Sequence, residues 1–319
     1  MADNPTNTYP GRQADVSSLA RAYAPAVLVG LAFLYLFKDA IANMADRWNT
    51  DPTFSHGWIV APAAIGIAWF SRDRWMNTLI APAWTGLLGI VAGLLILLAG
   101  AWADVLFLPF VAFVVVLGGM LVYFCGWQLF KRLLFPYGFL WFMVPWPDLL
   151  VEQISVPMQL GTSTYSAILA SIVGIPIVRD GNNLTILNAA RTAPKATFEV
   201  AVACSGMHSL VALLCLAAGF AYFTPISLWK RWLLFLLGIP MAFIANVFRV
   251  FLILCVGNWI DPQLAAKAFH DWSAPVLFFI NTLLLIALRN ALMRSPAVAT
   301  AGAPGAPVAT MPKENDDAF

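Results

Sequence analysis

Charge is scarce in this sequence. Asp, Glu, Lys and Arg make up 11% of the 319 residues, the formal net charge is +2, and the basic residues are scattered singly or in small groups. Nucleic-acid binding requires a basic stripe or patch, so we expect no nucleic-acid partner. Hydrophobic residues make up 61% of the chain, well above their share in an ordinary globular domain. We therefore predict that most of the chain lies in a lipid bilayer.

Several catalytic motifs are also missing. The sequence contains no HExxH, no GxSxG, no phosphate-binding loop and no CxxC. These are the spacings that zinc peptidases, α/β-hydrolases, nucleotide-binding proteins and thioredoxin-like proteins use. We therefore expect neither a metal ion nor a cofactor.

The two ends of the chain differ from its middle. Residues 1–21 are polar and lack a short apolar core followed by a small-residue cleavage site, which predicts a cytoplasmic leader and no cleaved signal peptide. From residue 295 the chain is rich in Ala, Pro and Gly, which predicts a disordered cytoplasmic tail. Residues 22–294 are left as a single transmembrane domain.

This domain contains several apolar runs of the length, about 17–25 residues, that crosses a bilayer. The segment 150–174 has a helical pattern but is more polar, so we predict that it lies at the membrane interface or inserts halfway. The predicted fold is an all-α polytopic membrane protein with about eight transmembrane helices, at 22–41, 55–71, 83–102, 105–127, 131–149, 205–224, 229–256 and 272–292.

The basic residues indicate that both ends of the chain are cytoplasmic (N-in/C-in). In that orientation the inner turns carry Arg72 and Arg74, Lys131 and Arg132, and Lys230 and Arg231, as the positive-inside rule requires. The long loop 150–203 then faces the outer, periplasmic side of a bacterial inner membrane. In this loop IPIVRDGNNLTIL predicts two short strands around a turn at 180–183, and the alternating FEVAV extends the β-like element towards Cys204.

Cys204 stands at the outer end of an apolar run. A cysteine at a helix N-terminus faces unpaired N–H groups and the positive end of the helix dipole, which favour the thiolate. Gly206 would let backbone or substrate approach closely. Two other interpretations stay open: Cys204 packs as a small apolar residue, as predicted for Cys125, Cys215 and Cys255, or it forms a disulfide with Cys255.

Arg249 and His270 are the other candidate site residues. An arginine inside a membrane span is costly and usually has a partner or a task, and Asn246, one turn earlier, shares its face. The alternative is that Arg249 snorkels to the outer headgroups, over about 10 Å. His270 precedes the last span, with Asp271 and Ser273 as predicted helix caps; the alternative is a solvated loop histidine.

These residues lie in stretches that resemble the exosortase/archaeosortase family of membrane-embedded cysteine transpeptidases. The stretches occur in family order from residue 51 to the last span and are FSHGWIVAP, FMVPWP, VACSGMHSL, NVFRVFLI and FHDWSA. The resemblance implies a nucleophile at Cys204, with Arg249 and His270 completing the site. It also implies the substrates, which are secreted proteins that end in a short Pro-containing motif, a membrane helix and a basic segment. After cleavage the acceptor is water, an amine, a polysaccharide or a lipid.

The sequence departs from the family at two positions. The family commonly has arginine where this chain has His208, and often glycine where it has Ala274. His208 lies four residues after Cys204, on the same face of a regular helix, and so competes with His270 for the role of base. We predict His270, because the alignment of His208 with Cys204 fails if Cys204 is a helix cap.

The predicted function is therefore cleavage of membrane-anchored secreted proteins by a cysteine protease or transpeptidase at the outer face. The alternative is a transporter or an assembly factor for exported polysaccharide, in which Arg249 and the histidines line a path. Transporters usually place polar groups near the bilayer midplane, whereas these residues are predicted at one face.

Overall fold

The computed structural model of the protein describes residues 16–188, 190–200, 206–265 and 270–294. In these ranges the chain is mostly helical, with one small antiparallel sheet. The helices are α1 (Val16–Leu36), α2 (Lys38–Thr50), α3 (Gly57–Phe70), α4 (Gly86–Ala103), α5 (Phe107–Arg132), α6 (Leu134–Phe139), α7 (Asp148–Ile172), α8 (Met207–Phe223), α9 (Leu228–Trp259), α10 (Pro262–Leu264) and α11 (His270–Arg294). The strands are β1 (Ile177–Asp180), β2 (Asn183–Leu187) and β3 (Pro194–Glu199).

Within the described ranges, five segments are long and apolar enough to cross a membrane: Pro52–Phe70, Gly86–Ala103, Phe107–Arg132, Leu228–Trp259 and Pro275–Arg294. Two pairs of helices meet the same criterion together but are bent, Val27–Leu36 with Lys38–Thr50 by 59° and Leu134–Met143 with Asp148–Ile172 by 82°. Counting each bent pair as one span raises the number to seven. Helix α8 is apolar but has 17 residues. The chain is thus a multi-pass membrane protein.

Two predicted spans have different boundaries in the structure. The run 22–41 is interrupted at Phe37, which is fully buried and contacts the rings of Phe33 and Phe113. The run 131–149 is divided because Pro145 and Pro147 lack backbone N–H donors and cannot continue a helix. The predicted helix at 150–174 is present as α7.

The predicted β element is confirmed. Strands β1 and β2 pair antiparallel around Gly181, and β3 pairs with β2. Gly181 has a positive φ of +59°, a conformation that glycine adopts at no steric cost. Leu184 and Ile186 of β2 are fully buried and pack with Val250 and Leu254 of α9.

Helix α9 connects this sheet to the membrane. Its 32 residues correspond to a length of about 48 Å at 1.5 Å per residue, whereas the hydrocarbon core of a bilayer is about 30 Å thick. The helix is therefore long enough to extend beyond the hydrocarbon layer. The sheet packs on its C-terminal part, and Lys195 Nζ of β3 donates a hydrogen bond to the Asn258 carbonyl.

Candidate active site

The structure places the sequence-predicted site residues in three elements. Arg249 and Asn246 lie in α9 and are each 5% exposed. Gly206 and His208 lie at the start of α8. His270 is the first residue of α11, and only its backbone is among the described parts of the structure. Cys204 lies outside the described residues.

Gly206 is the residue that joins two of these elements. It precedes α8 with a φ of +85°, and a Cβ built on it would lie 2.9 Å from both Cβ and Cγ of Asn246. A contact this short leaves no room for a side chain, so only glycine fits here without a shift of Asn246. The structure thus brings the start of α8 against the middle of α9, one helical turn before Arg249.

Gly206, and not Cys204, is the N-cap of α8. The condition that Cys204 caps the helix is therefore not met, because the helix begins three residues after the cysteine. His208 is the second residue of α8, so the i, i+4 alignment that a continuous helix would give to Cys204 and His208 does not apply. The predicted caps Asp271 and Ser273 are also wrong, since α11 already begins at His270.

Arg249 is enclosed by protein. It follows Arg231 by 18 residues of α9, a distance of about 27 Å along the helix. If Arg231 is at one headgroup level, Arg249 is near the opposite boundary of a hydrocarbon layer of about 30 Å. A snorkelling arginine exposes its guanidinium to water or headgroups, whereas Arg249 is 5% exposed. Its burial favours a role inside the protein.

Helix α7 presents a polar face to the interior, which the sequence analysis did not identify. The face consists of Ser155, Gln159, Thr162, Ser163 and Ser166, all 5% exposed or less. Their spacing follows one side of an α-helix, and this periodicity was the available signal. The overall polarity of the segment suggested an interfacial helix instead, because polar residues on a membrane helix are equally expected to face water.

This α7 polar face supports both sides of the segment that contains Cys204. Asn246 Nδ2 donates to Thr162 Oγ1 at 3.2 Å, and Asn246 in turn contacts Gly206. On the other side, Asn182 Nδ2 donates to Gln159 Oε1 at 2.6 Å, and the Val200 N–H donates to the Asn182 carbonyl at 3.0 Å. The described residues that flank 201–205 are therefore tied to α7 and α9.

Three buried polar atoms in this region have no hydrogen-bond partner among the described residues: Ser155 Oγ, Gln159 Nε2 and Asn182 Oδ1. A buried polar atom without a partner costs about 1–3 kcal/mol. Such atoms are candidates for contact with a bound molecule. Among the described residues no cluster of three or more His, Cys, Asp or Glu has the arrangement of a metal site.

The third histidine, His56, forms a hydrogen bond within the fold. Its Nε2 is 2.9 Å from the carbonyl oxygen of Phe142, and Trp48 Nε1 donates to the neighbouring carbonyl of Met143 at 2.9 Å. The stretches FSHGWIVAP and FMVPWP thus contact each other. These hydrogen bonds join the end of α2 and the start of α3 to the bend before α7.

A family model described as transmembrane exosortase matches residues 48–287. The match covers most of the 319 residues and includes Gly206, Asn246 and Arg249. The chain belongs to the transmembrane exosortase family. No curated protein and no solved structure matches the chain. The region matched in this exosortase also contains α7, so the polar face lies within the family domain.

Proposed function

We propose that this exosortase is a cysteine protease and transpeptidase that cleaves secreted proteins at a C-terminal sorting signal on the outer face of the bacterial inner membrane. The observation that carries the proposal is the contact of Gly206 with Asn246, one turn from the buried Arg249. This contact supports the proposal because the Cys-Ser-Gly stretch ends against α9 one helical turn from a buried arginine. A cation near a cysteine nucleophile can stabilise the negative charge that develops on the carbonyl oxygen during acyl transfer.

Chain geometry supports the same arrangement. Two residues span at most about 7 Å, so the Cα of Cys204 lies within that distance of the Cα of Gly206. The side chains of Asn246 and Arg249 follow each other on one face of α9. This chain length is compatible with the proposal that a thiolate at Cys204 and a guanidinium at Arg249 act on one carbonyl group of a substrate.

The proposed reaction has two steps. The Cys204 thiolate attacks the scissile carbonyl, and the negative charge that develops on the carbonyl oxygen is stabilised by Arg249. The C–N bond then breaks, His270 donates a proton to the leaving amine, and a thioester remains on Cys204. An acceptor (water, an amine, or a hydroxyl of a polysaccharide or lipid) loses its proton to His270 and attacks the thioester, which releases the thiolate.

The α7 polar face fits the recognition of an extended peptide. A peptide segment outside regular structure carries N–H donors and C=O acceptors that need partners when they leave water. Gln159 Nε2 is a donor, Asn182 Oδ1 is an acceptor and Ser155 Oγ is both. We propose that these atoms bind the backbone of the sorting motif of the secreted substrate next to Cys204.

We also propose eight spans with both ends in the cytoplasm, in which α8 and the two bent pairs each cross the membrane. The support is the convergence of basic residues from three predicted inner turns at one end of the molecule, where Arg74, Arg132 and Arg231 line one pocket. In intact spheroplasts a membrane-impermeant thiol reagent should then label Cys204 faster than Cys125, Cys215 or Cys255. Protection of Cys204 until the membrane is permeabilised would contradict this orientation.

The function is tested by co-expression with a secreted reporter that ends in a Pro-containing motif, a membrane helix and a basic segment. Cys204→Ala should abolish cleavage of the reporter, and Arg249→Gln should lower its rate about 10²–10³-fold, the usual effect of losing one oxyanion contact. Cys215→Ala, a half-buried cysteine within α8, is the matched control and should retain cleavage. Full cleavage by Cys204→Ala at equal protein levels would move the chemistry to another residue, whereas a wild type that leaves the reporter uncleaved would refute the enzyme and favour the transporter or assembly factor.

A further inference from the structure

A large pocket lies at the end of the molecule opposite to Gly206. Its volume is about 700 Å³, within the range of about 300–1,000 Å³ that is usual for small-molecule sites. Ala218 and Tyr222 of α8 contribute to its wall, and they follow Gly206 by 12 and 16 residues, or about 18–24 Å of helix. The pocket is therefore separate from the candidate active site.

Four cationic side chains surround this pocket: Arg74, Lys131, Arg132 and Arg231. Among the residues that the structure describes, no carboxylate lines it. Arg74 lies over the ring of Tyr222 at 5.3 Å, and Tyr222 stacks on Phe135 with ring centroids 4.0 Å apart. The Nε of Arg231 donates to the Ile226 carbonyl at 3.1 Å. This bond uses one of the five N–H donors of the guanidinium.

The position of these cations corresponds to a headgroup layer. Lys131 and Arg132 end the span α5, Arg231 lies in the first turn of the span α9, and Arg74 follows the span that ends at Phe70. The remainder of the pocket wall is mainly apolar and aromatic and includes Phe139 and Phe142. The pocket therefore has a cationic rim at the membrane boundary and an apolar interior.

We propose that this pocket binds an anionic phospholipid of the bilayer, with its phosphate among Arg74, Lys131, Arg132 and Arg231 and part of an acyl chain in the apolar interior. Basic pockets between membrane helices are known binding sites for anionic headgroups. A soluble phosphate leaves the apolar wall in water, and a neutral lipid leaves the four cations without an anion. A basic peptide segment is repelled by them. Only an anionic amphiphile matches both parts of the pocket.

The binding of dioleoyl phosphatidylglycerol to the detergent-purified full chain can be measured by native mass spectrometry, with dioleoyl phosphatidylcholine and glycerol phosphate as comparison ligands. Wild type should bind phosphatidylglycerol at least tenfold more tightly than either. The triple variant Lys131→Gln/Arg132→Gln/Arg231→Gln should lose this preference. Its affinity for phosphatidylglycerol should fall about fivefold for each charge removed. Arg72→Gln is the control for one lost charge, since Arg72 packs on Trp69 and does not line the pocket.

A second variant tests the apolar interior without changing any charge or the topology signal. Gly138 lines the pocket, and a Cβ built on it meets no described atom within 4 Å, so Gly138→Leu should fill the pocket without strain. It should weaken phosphatidylglycerol binding at least fivefold, whereas Gly219→Leu, equally uncrowded but outside the pocket lining, should not.

Two results would overturn the proposal directly: equal binding of the two phospholipids, or wild-type binding by both the triple charge variant and Gly138→Leu. A third would replace the lipid by the acidic tail of the chain as the occupant of the pocket: lipid binding that appears only after Glu314, Asp316 and Asp317 are neutralised. Because none of these measurements uses cleavage activity, their outcome is independent of the proposed protease function.

Discussion

The two ends of this membrane protein use polar residues in opposite ways. At the pocket end Lys131 and Arg132 are exposed over an apolar cavity, and Gly138 has open space around it. At the other end Asn246 and Arg249 are 5% exposed, and Gly206 has a neighbouring side chain 2.9 Å from where its Cβ would be. One end is an open cationic surface, and the other is a closed polar interior.

This difference predicts how each end responds to substitution. Exposed cations remain hydrated, so removing one changes the attraction for an anion and little else. Buried polar groups have lost their hydration during folding, and removing one partner leaves the other without a hydrogen bond. A site that develops charge during a reaction benefits from such fixed groups, because they need no reorganisation at the moment of reaction. The closed end is therefore suited to chemistry and the open end to binding.

After the loss of Cys204, the largest effect at the closed end is expected from His270, and His208 is its comparison. His270→Ala should lower reporter cleavage about 10²–10⁴-fold, the usual contribution of a general acid–base residue. His208→Arg should keep a substantial part of the activity, because α8 begins only at Met207 and the helical alignment of His208 with Cys204 is absent. Cleavage rates at matched expression levels check this pair. The reverse pattern would mean that Cys204 works with His208 as a local dyad.

The sequence predicts those parts of this structure that depend on neighbouring residues. The hairpin follows from alternation around Gly181, and the cost of an arginine in a span identifies Arg249. The bend at Phe37 has no glycine or proline nearby, and Phe37 contacts the ring of Phe113, which lies 76 residues later in the chain. The α7 polar face also depends on a distant residue, because Thr162 accepts a hydrogen bond from Asn246, which lies 84 residues later in the chain. Which face of α7 is buried could not be determined without knowing what packs against it.

An intermediate effect is expected from Gly206, where the closed end is most crowded. Gly206→Ala adds a Cβ at 2.9 Å from Asn246 and forces a non-glycine residue to a φ of +85°, which costs about 1–3 kcal/mol. Cleavage should fall at least tenfold while the protein remains inserted. The matched control is Gly219→Ala in the same helix, which has no described atom within 4 Å of its Cβ and should cleave normally. Equal activity of the two variants would show that the closed end has more room than its geometry indicates.

The smallest effect is expected from Gln159, whose burial distinguishes the α7 polar face from the exposed side of the same helix. Gln159→Leu removes the oxygen that accepts from Asn182 and the donor Nε2. Losing one hydrogen bond costs about 1 kcal/mol, which corresponds to about a fivefold lower cleavage rate. If this face binds the substrate backbone, cleavage at low reporter levels should fall about fivefold and recover as reporter expression rises. If the face only supports the fold, the thermal unfolding temperature should fall and the cleavage rate should be equally reduced at every reporter level. Gln153→Leu is the control, because Gln153 is exposed on α7 and its loss should change neither measurement.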